Sequence, residues 1–251
     1  MFSFSLLYHR MPKTLVLYVF HERNSRVDHF LTNCIFQDPN VDFIIVCNNK
    51  QETIRVPDYV QTIYRDNIGY DFGGWSEALL TNNIYTNYDH FVFVNSSVIG
   101  PFLKPHSKDT WVDMYLHGLT DTIKLFGSTI NTCKDPKKLS HVQSYIFSMN
   151  RHTLQYLLDC GIFSLTNIAK TFDDAINHKE IAMSRKILEK GWNIGSLLPH
   201  YANVDFTFST RQPNEYPIAF LDDIMYPWYR GTVWNEYQLV FVKGNRVPIQ
   251  M

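Results

Sequence analysis

Along the chain, short and nearly unbroken apolar runs alternate with segments whose apolar residues recur every three or four positions, and this alternation predicts the elements in turn. Thr14 to Phe20 reads TLVLYVF, the signature of a strand covered on both faces. Val27, Phe30, Leu31, Cys34 and Ile35 follow at helical spacing behind the capping residues Asn24 and Ser25, which predicts an amphipathic helix laid on a sheet. Val41 to Cys47 repeats the buried-strand pattern, so the opening is a βαβ unit with a right-handed crossover. A third strand is predicted at Val60 to Tyr64, a helix at about Gly73 to Leu80 with Trp75, Ala78 and Leu79 inward, and a fourth strand at Phe91 to Val94. This half reads as doubly wound.

The second half is less regular. Strands are predicted at Ile123 to Ile130 and Ser144 to Met149, and helices at His152 to Cys160 and Asp174 to Lys190. After an aromatic and Pro-rich stretch from Pro199 to Tyr229, a last strand is predicted at Tyr237 to Val242. With no repeat and no linker, the expectation is a single α/β domain over residues 1–251, a Rossmann-like mixed, mostly parallel sheet flanked by helices.

Bulk composition removes several classes of function. The 23 basic and 24 acidic residues leave no electrostatic footprint for nucleic acid. The longest uncharged apolar run, Leu15 to Phe20, falls far short of the roughly 20 residues of a membrane span. Phe2 to Tyr8 is interrupted by His9, Arg10, Pro12 and Lys13 with no small-residue cleavage site behind it, so a cytoplasmic protein is expected. Cys34, Cys47, Cys133 and Cys160 are scattered without zinc spacing and read as reduced core thiols. Aromatic residues at 15% exceed what a core of this size needs, which predicts rings along a surface cleft.

In open α/β sheets, ligands sit beyond the carboxyl ends of the strands, which directs attention to two loops. The loop after the third strand reads RDNIGYDFGGW from Arg65 to Trp75. Arg65 offers a forked donor suited to phosphate, Gly69, Gly73 and Gly74 allow close backbone approach, and the following helix directs free N–H groups at anions. A plainer account is also open, in which Asp71 caps the helix and the paired glycines only permit close packing. The loop after the fourth strand, Asn95-Ser96-Ser97, places polar atoms where a buried strand ends; Asn95 and Ser96 suit a ribose or a hydrated metal. Its glycosylation pattern is discounted at such a position, and without a Gly-x-Ser-x-Gly elbow the serines are poor nucleophile candidates. Neither a Gly-x-Gly-x-x-Gly fingerprint nor a Gly-Lys-Ser/Thr phosphate loop occurs.

RDNIGYDFGGW at 65–75 and FVFVNSSVIGPF at 91–102 resemble the rhamnan synthesis protein F family and related nucleotide-sugar glycosyltransferases of the GT-A fold. HVQSYIFSMNR at 141–151, KEIAMSRKILEKGW at 179–192 and QLVFVKGNR at 238–246 follow in the order of that family. The resemblance implies transfer of a sugar from a nucleotide diphosphate donor to a hydroxyl of a glycan or glycoprotein. Residues 14–100 would form the donor half and 101–251 the acceptor half. By the same resemblance Arg65, Asn67 and Asp71 contact the nucleoside and diphosphate, with Gly69 and Gly73 allowing backbone approach. The fold carries an Asp-x-Asp metal motif near the fourth strand, and here that position reads Asn95-Ser96-Ser97. Mn2+ or Mg2+ would then be held through neutral oxygens at Ser96, with His200 a further candidate ligand, or cationic side chains such as Arg65 would replace the metal.

Aligned on Gly191-Trp192, Glu180 takes the place of the catalytic carboxylate that deprotonates the acceptor; a solvated helix Glu is the competing account, and Asp173 and Asp174 are alternatives that also suit a helix cap. His141 and Gln143 are candidates for reaching the acceptor, and Trp228, Tyr229 and Trp234 for bordering its groove. The rival function is a degenerate relative that binds a nucleotide sugar or glycan without turnover; an unrelated nucleotide-binding α/β protein comes third.

Overall fold

The computed structural model describes residues 11–132, 135–220 and 235–244, together with the backbone of 228–229 and 232–233. In chain order the first half runs β1 (Thr14–Phe20), α1 (Ser25–Asn33), β2 (Val41–Cys47), β3 (Gln61–Tyr64), α2 (Tyr70–Leu80), β4 (His90–Asn95), β5 (Val98–Ile99) and α3 (Trp111–Leu116). There follow β6 (Ile123–Gly127), β7 (Ile130–Asn131), α4 (Pro136–Leu139), β8 (His141–Val142), β9 (Ile146–Asn150) and α5 (Arg151–Asp159). The remainder comprises α6 (Phe172–Ala175), a π turn (Ile176–Ile181), α7 (Ala182–Glu189), β10 (Asn193–Ser196), the paired β11 (Trp228–Tyr229) and β12 (Thr232–Val233), α8 (Glu236–Leu239) and β13 (Val242–Lys243).

Seven strands form one sheet in the order β10-β6-β9-β4-β1-β2-β3. Every neighbouring pair is parallel except those made by β9, which runs against both β4 and β6. The sheet is thus mixed and mostly parallel, and helices cover both faces. The pleat of β1 sorts its side chains between them: Leu15, Leu17 and Val19 pack with Trp75 of α2, Leu154 of α5 and Met183 and Ile187 of α7. Val16, Tyr18 and Phe20 pack instead with Val27 and Phe30 of α1 and Trp111 and Tyr115 of α3. Trp75 is fully buried, and its indole N–H donates to Leu17 O at 3.2 Å, so the predicted stripe of α2 is pinned to the central strand as well as packed on it. Truncating a ring of this kind costs about 3–5 kcal/mol.

Three elements depart from the sequence expectation. The helix predicted from Gly73 begins at Tyr70, because Gly69 turns the chain with φ +79° immediately before it. The long helix predicted over 174–190 is interrupted by the π turn. The strand predicted over 237–242 is replaced at its start by α8, where the signal is local: the Asn235 side chain accepts the Tyr237 N–H at 2.8 Å and closes a capping box with Gln238. Only Val242 and Lys243 extend, pairing antiparallel with β5.

Candidate functional site

A cavity of about 560 Å³ opens at the carboxyl ends of the parallel strands. Its walls come from His21 after β1, the first turn of α2, the end of β4, the β7–β8 ribbon, the π turn and β13. Asn67, Asp71, Asn95, His141, Gln143 and Glu180, all anticipated from the sequence, converge on it.

Glu180 arrives from the π turn, whose extra residue changes the helical register between α6 and α7. Neighbouring Lys179 is buried, and its ammonium donates to the carbonyls of Gly161, Ile162 and Asn167 at 2.8, 2.9 and 2.5 Å. Burial pulls that lysine's pKa down, and the three carbonyls fix the turn against the 161–167 loop. Glu180 consequently faces the other way. Its Oε2 accepts the Ser144 backbone N–H at 2.8 Å and the Ser144 hydroxyl, and Oε1 lies 3.5 Å from His141 Nε2. His141 Nδ1 sits 2.6 Å from Leu139 O, which requires a proton on Nδ1 and turns Nε2 towards Glu180. Burial raises the pKa of Glu180, but these partners and the charge of Lys243 outweigh it and bring the group down to about 2.

Asp71 is treated differently. It stands in the first turn of α2, and Asn95 Nδ2 donates to its Oδ2 at 2.9 Å. Burial and the nearby charge of Glu180 push its pKa up to about 6, against the opposing pulls of Asn95 and Lys243. Asp71 does not cap α2; Gly69 holds that position without a side-chain bond.

Lys243 is a site residue that sequence reasoning missed, as are Ser144, Tyr70 and Phe172. It lies on β13 opposite Val98, and Gly244 N–H donates to Ser97 O at 2.7 Å, so the β5–β13 pairing carries an ammonium to the loop after β4. No local periodicity announces a contact made across such a sequence distance. Ser97, Ser144, Tyr70 and Phe172 also line the cavity; Phe172 is 64% exposed, and its ring meets Tyr70 edge to face at 6.2 Å.

Several anticipated residues lie elsewhere. Arg65 is buried, and its three nitrogens bond Glu77 at 2.7 Å, Asn48 at 2.6 Å and Ile68 O at 2.7 Å, so the guanidinium serves the 66–69 loop instead of the cavity. The glycines serve the same packing. A Cβ at Gly73 would sit 2.1 Å from Ile68 O, and one at Gly74 would sit 2.9 Å from Val19 Cγ2. Gly69 and Gly73 are absent from the cavity lining, as is Ser96, whose carbonyl accepts Arg26 Nε at 3.1 Å. His200 packs edge to face on Tyr201, with ring centres 5.0 Å apart, away from the cavity. Asp174 caps α6 by accepting the Lys170 and Thr171 N–H groups. Trp234 and the side chains of Trp228 and Tyr229 lie outside the described residues, as does Cys133.

Among the described residues no divalent-cation site is assembled from protein side chains alone. Asn95 spends its amide on Asp71 and on the Ser97 N–H, Ser96 and His200 do not line the cavity, and among the described residues no three His, Cys, Asp or Glu side chains cluster for metal binding. Nor, among the described residues, is any helix long and apolar enough to cross a membrane.

Comparison with known proteins places this architecture. The profile of a family described as rhamnan synthesis protein F matches residues 43–228, a span that includes Asn67, Asp71, Asn95, His141 and Glu180. An uncharacterized protein of Sinorhizobium fredii, y4gN, is 26% identical over 216 residues, which is 80% of this chain and 52% of that protein. The chain therefore spans about half the length of this relative.

Proposed function

The chain belongs to the rhamnan synthesis protein F family, and from that premise we propose that it is a glycosyltransferase of polysaccharide synthesis. In this reading it is of the GT-A type, taking a hexosyl or deoxyhexosyl group from a nucleoside diphosphate to a hydroxyl of a glycan or glycoprotein. The observation that carries the reading is the grouping of two half-buried carboxylates and one ammonium in a cavity at the strand ends. Its volume suits a sugar and part of a nucleotide.

The chemistry needs three things from the protein, and the cavity contains a group for each. The departing diphosphate gains negative charge, which Lys243 offsets from β13. The anomeric carbon gains positive charge, which an ionised carboxylate stabilises. The acceptor hydroxyl loses a proton, which a carboxylate takes up. Tyr70 and Phe172 offer ring faces and edges at the mouth, where an apolar sugar face or a base can rest. No step is routed through a metal, because the described residues do not by themselves assemble its ligands.

Incubation with UDP, GDP, dTDP and CMP sugars tests this. Slow release of free sugar from one donor supports the transferase. If donors bind without any turnover, the rival reading of a catalytically degenerate binding protein takes its place, a reading favoured by the lost Asp-x-Asp carboxylates at Asn95-Ser96-Ser97. If none binds, both readings fail.

A further inference from the structure

We infer that Asp71, and not Glu180, is the group that takes the proton from the acceptor hydroxyl, with Glu180 serving as a fixed anion on the opposite wall. The inference rests on the transferase reading and assigns roles within it.

The geometry separates the two carboxylates. Glu180 has both oxygens engaged: Oε2 takes two hydrogen bonds from Ser144, and Oε1 faces the His141 imidazole. An incoming hydroxyl would have to displace one of these donors, and a carboxylate so thoroughly solvated by the protein is a weak base. Asp71 takes one side-chain hydrogen bond from the described residues, from Asn95 on Oδ2, and so leaves Oδ1 for a substrate proton. Among the described residues the charged groups that act on it are Glu180 from the π turn and Lys243 from β13, and the buried Tyr18 hydroxyl senses its charge from β1. Its elevated pKa near 6 lies close to neutral pH, where a general base is most effective, whereas that of Glu180 lies about four units lower.

Substrate electrostatics point the same way. An ionised Asp71 repels a diphosphate but is well matched to a hydroxyl, which donates to it. The diphosphate belongs nearer Lys243. In the step itself the acceptor oxygen attacks the anomeric carbon, the bond from that carbon to the diphosphate oxygen breaks with its electron pair leaving on the diphosphate, and the acceptor proton moves to Asp71 Oδ1. Asp71 ends as a carboxylic acid and returns its proton to water. In donor hydrolysis, water replaces the acceptor.

The test is the pH profile of donor hydrolysis by the full chain, measured from pH 4.5 to 8.5 with whichever of the UDP, GDP, dTDP or CMP sugars is turned over. The wild type should lose kcat/KM below about pH 6, as Asp71 becomes protonated. Asp71→Asn keeps the size of the side chain and an acceptor for Asn95; it should lower kcat by about 10²–10⁴-fold and flatten the acidic limb, while donor affinity by titration calorimetry stays within about threefold. Glu180→Gln should also be slower but keep the acidic limb. An acidic limb that disappears in Glu180→Gln and survives in Asp71→Asn would overturn the assignment, whereas a donor that binds and is never turned over would overturn the transferase reading on which it rests. Should Asp71→Asn fail to fold, the limb in Glu180→Gln decides alone, since a base at position 180 cannot titrate as glutamine. If no nucleotide sugar binds the wild type, the transferase reading itself has failed.

Discussion

On the wall of the cavity built by α2 and β4, Asp71 is held by one amide and pushed towards protonation; on the wall built by the π turn and β8, Glu180 is gripped by a backbone N–H, a hydroxyl and an imidazole and kept ionised. The same functional group is thus an unfavourable charge on one side and a well-compensated one on the other. The difference lies in supply of donors: the connection after β8 turns the Ser144 N–H inward, whereas the first turn of α2 offers Asp71 no comparable partner. Proteins keep unfavourable buried charges where reactivity depends on them, so the poorly compensated wall is where proton transfer is expected.

Four changes sharpen or break this contrast. The largest effect is expected on the well-compensated wall. Lys179→Ala removes the ammonium from three carbonyls and should cost about 3–5 kcal/mol by urea denaturation, with hydrogen exchange rising first over 176–183. A loss under about 1 kcal/mol would mean that the π turn is not anchored there.

Glu180→Gln comes next. The folded carboxylate has a pKa of about 2 against the 4.5 of an ordinary glutamate, so its stabilisation is complete above about pH 4.5 and is lost as pH falls towards 2. The substitution should therefore cost about 2–3 kcal/mol at pH 7, and the difference from wild type should shrink below pH 4.5.

Asp71→Asn should have the opposite sign. Here the folded pKa is raised, from 3.8 to about 6, so the wild type loses stability as pH rises through that window and stays less stable above it. The variant should be more stable than wild type by about 1–3 kcal/mol at pH 7.5 and equal to it near pH 4, even though it is less active. Equal stabilities at pH 7.5 would remove the charge penalty from the account. The smallest effect is expected from Phe172→Ala: with most of its ring exposed, stability should change by less than about 0.5 kcal/mol, while donor or acceptor KM rises.

The alternation of apolar runs made β1, β2 and β4 legible because strands covered on both faces leave a contiguous signal. Asp71 and Asn95 were singled out by their loops after strands, and Glu180 by the family resemblance alone. What stayed hidden depended on long-range partners. Arg65 has the chemistry of a phosphate ligand, yet a neighbouring carboxylate, amide and carbonyl consume its donors. Gly73 suits backbone approach, yet the carbonyl of Ile68 already occupies the space above it. Lys243 enters the site only through the pairing of β13 with β5, and the apolar run before it misled because Asn235 starts a helix. The pairing of His141 with Glu180 joins two segments that no sequence spacing relates.

The central claim is that a nucleotide sugar occupies this cavity, and a cavity-filling variant tests it most directly. Ile176 lines the cavity from the π turn, and Ile176→Trp would place an indole in the space intended for the donor. Titration calorimetry of UDP, GDP, dTDP and CMP sugars should show one that binds the wild type and binds Ile176→Trp at least about tenfold more weakly, with circular dichroism unchanged. Equal affinity in the two proteins would place the donor elsewhere and contradict the account.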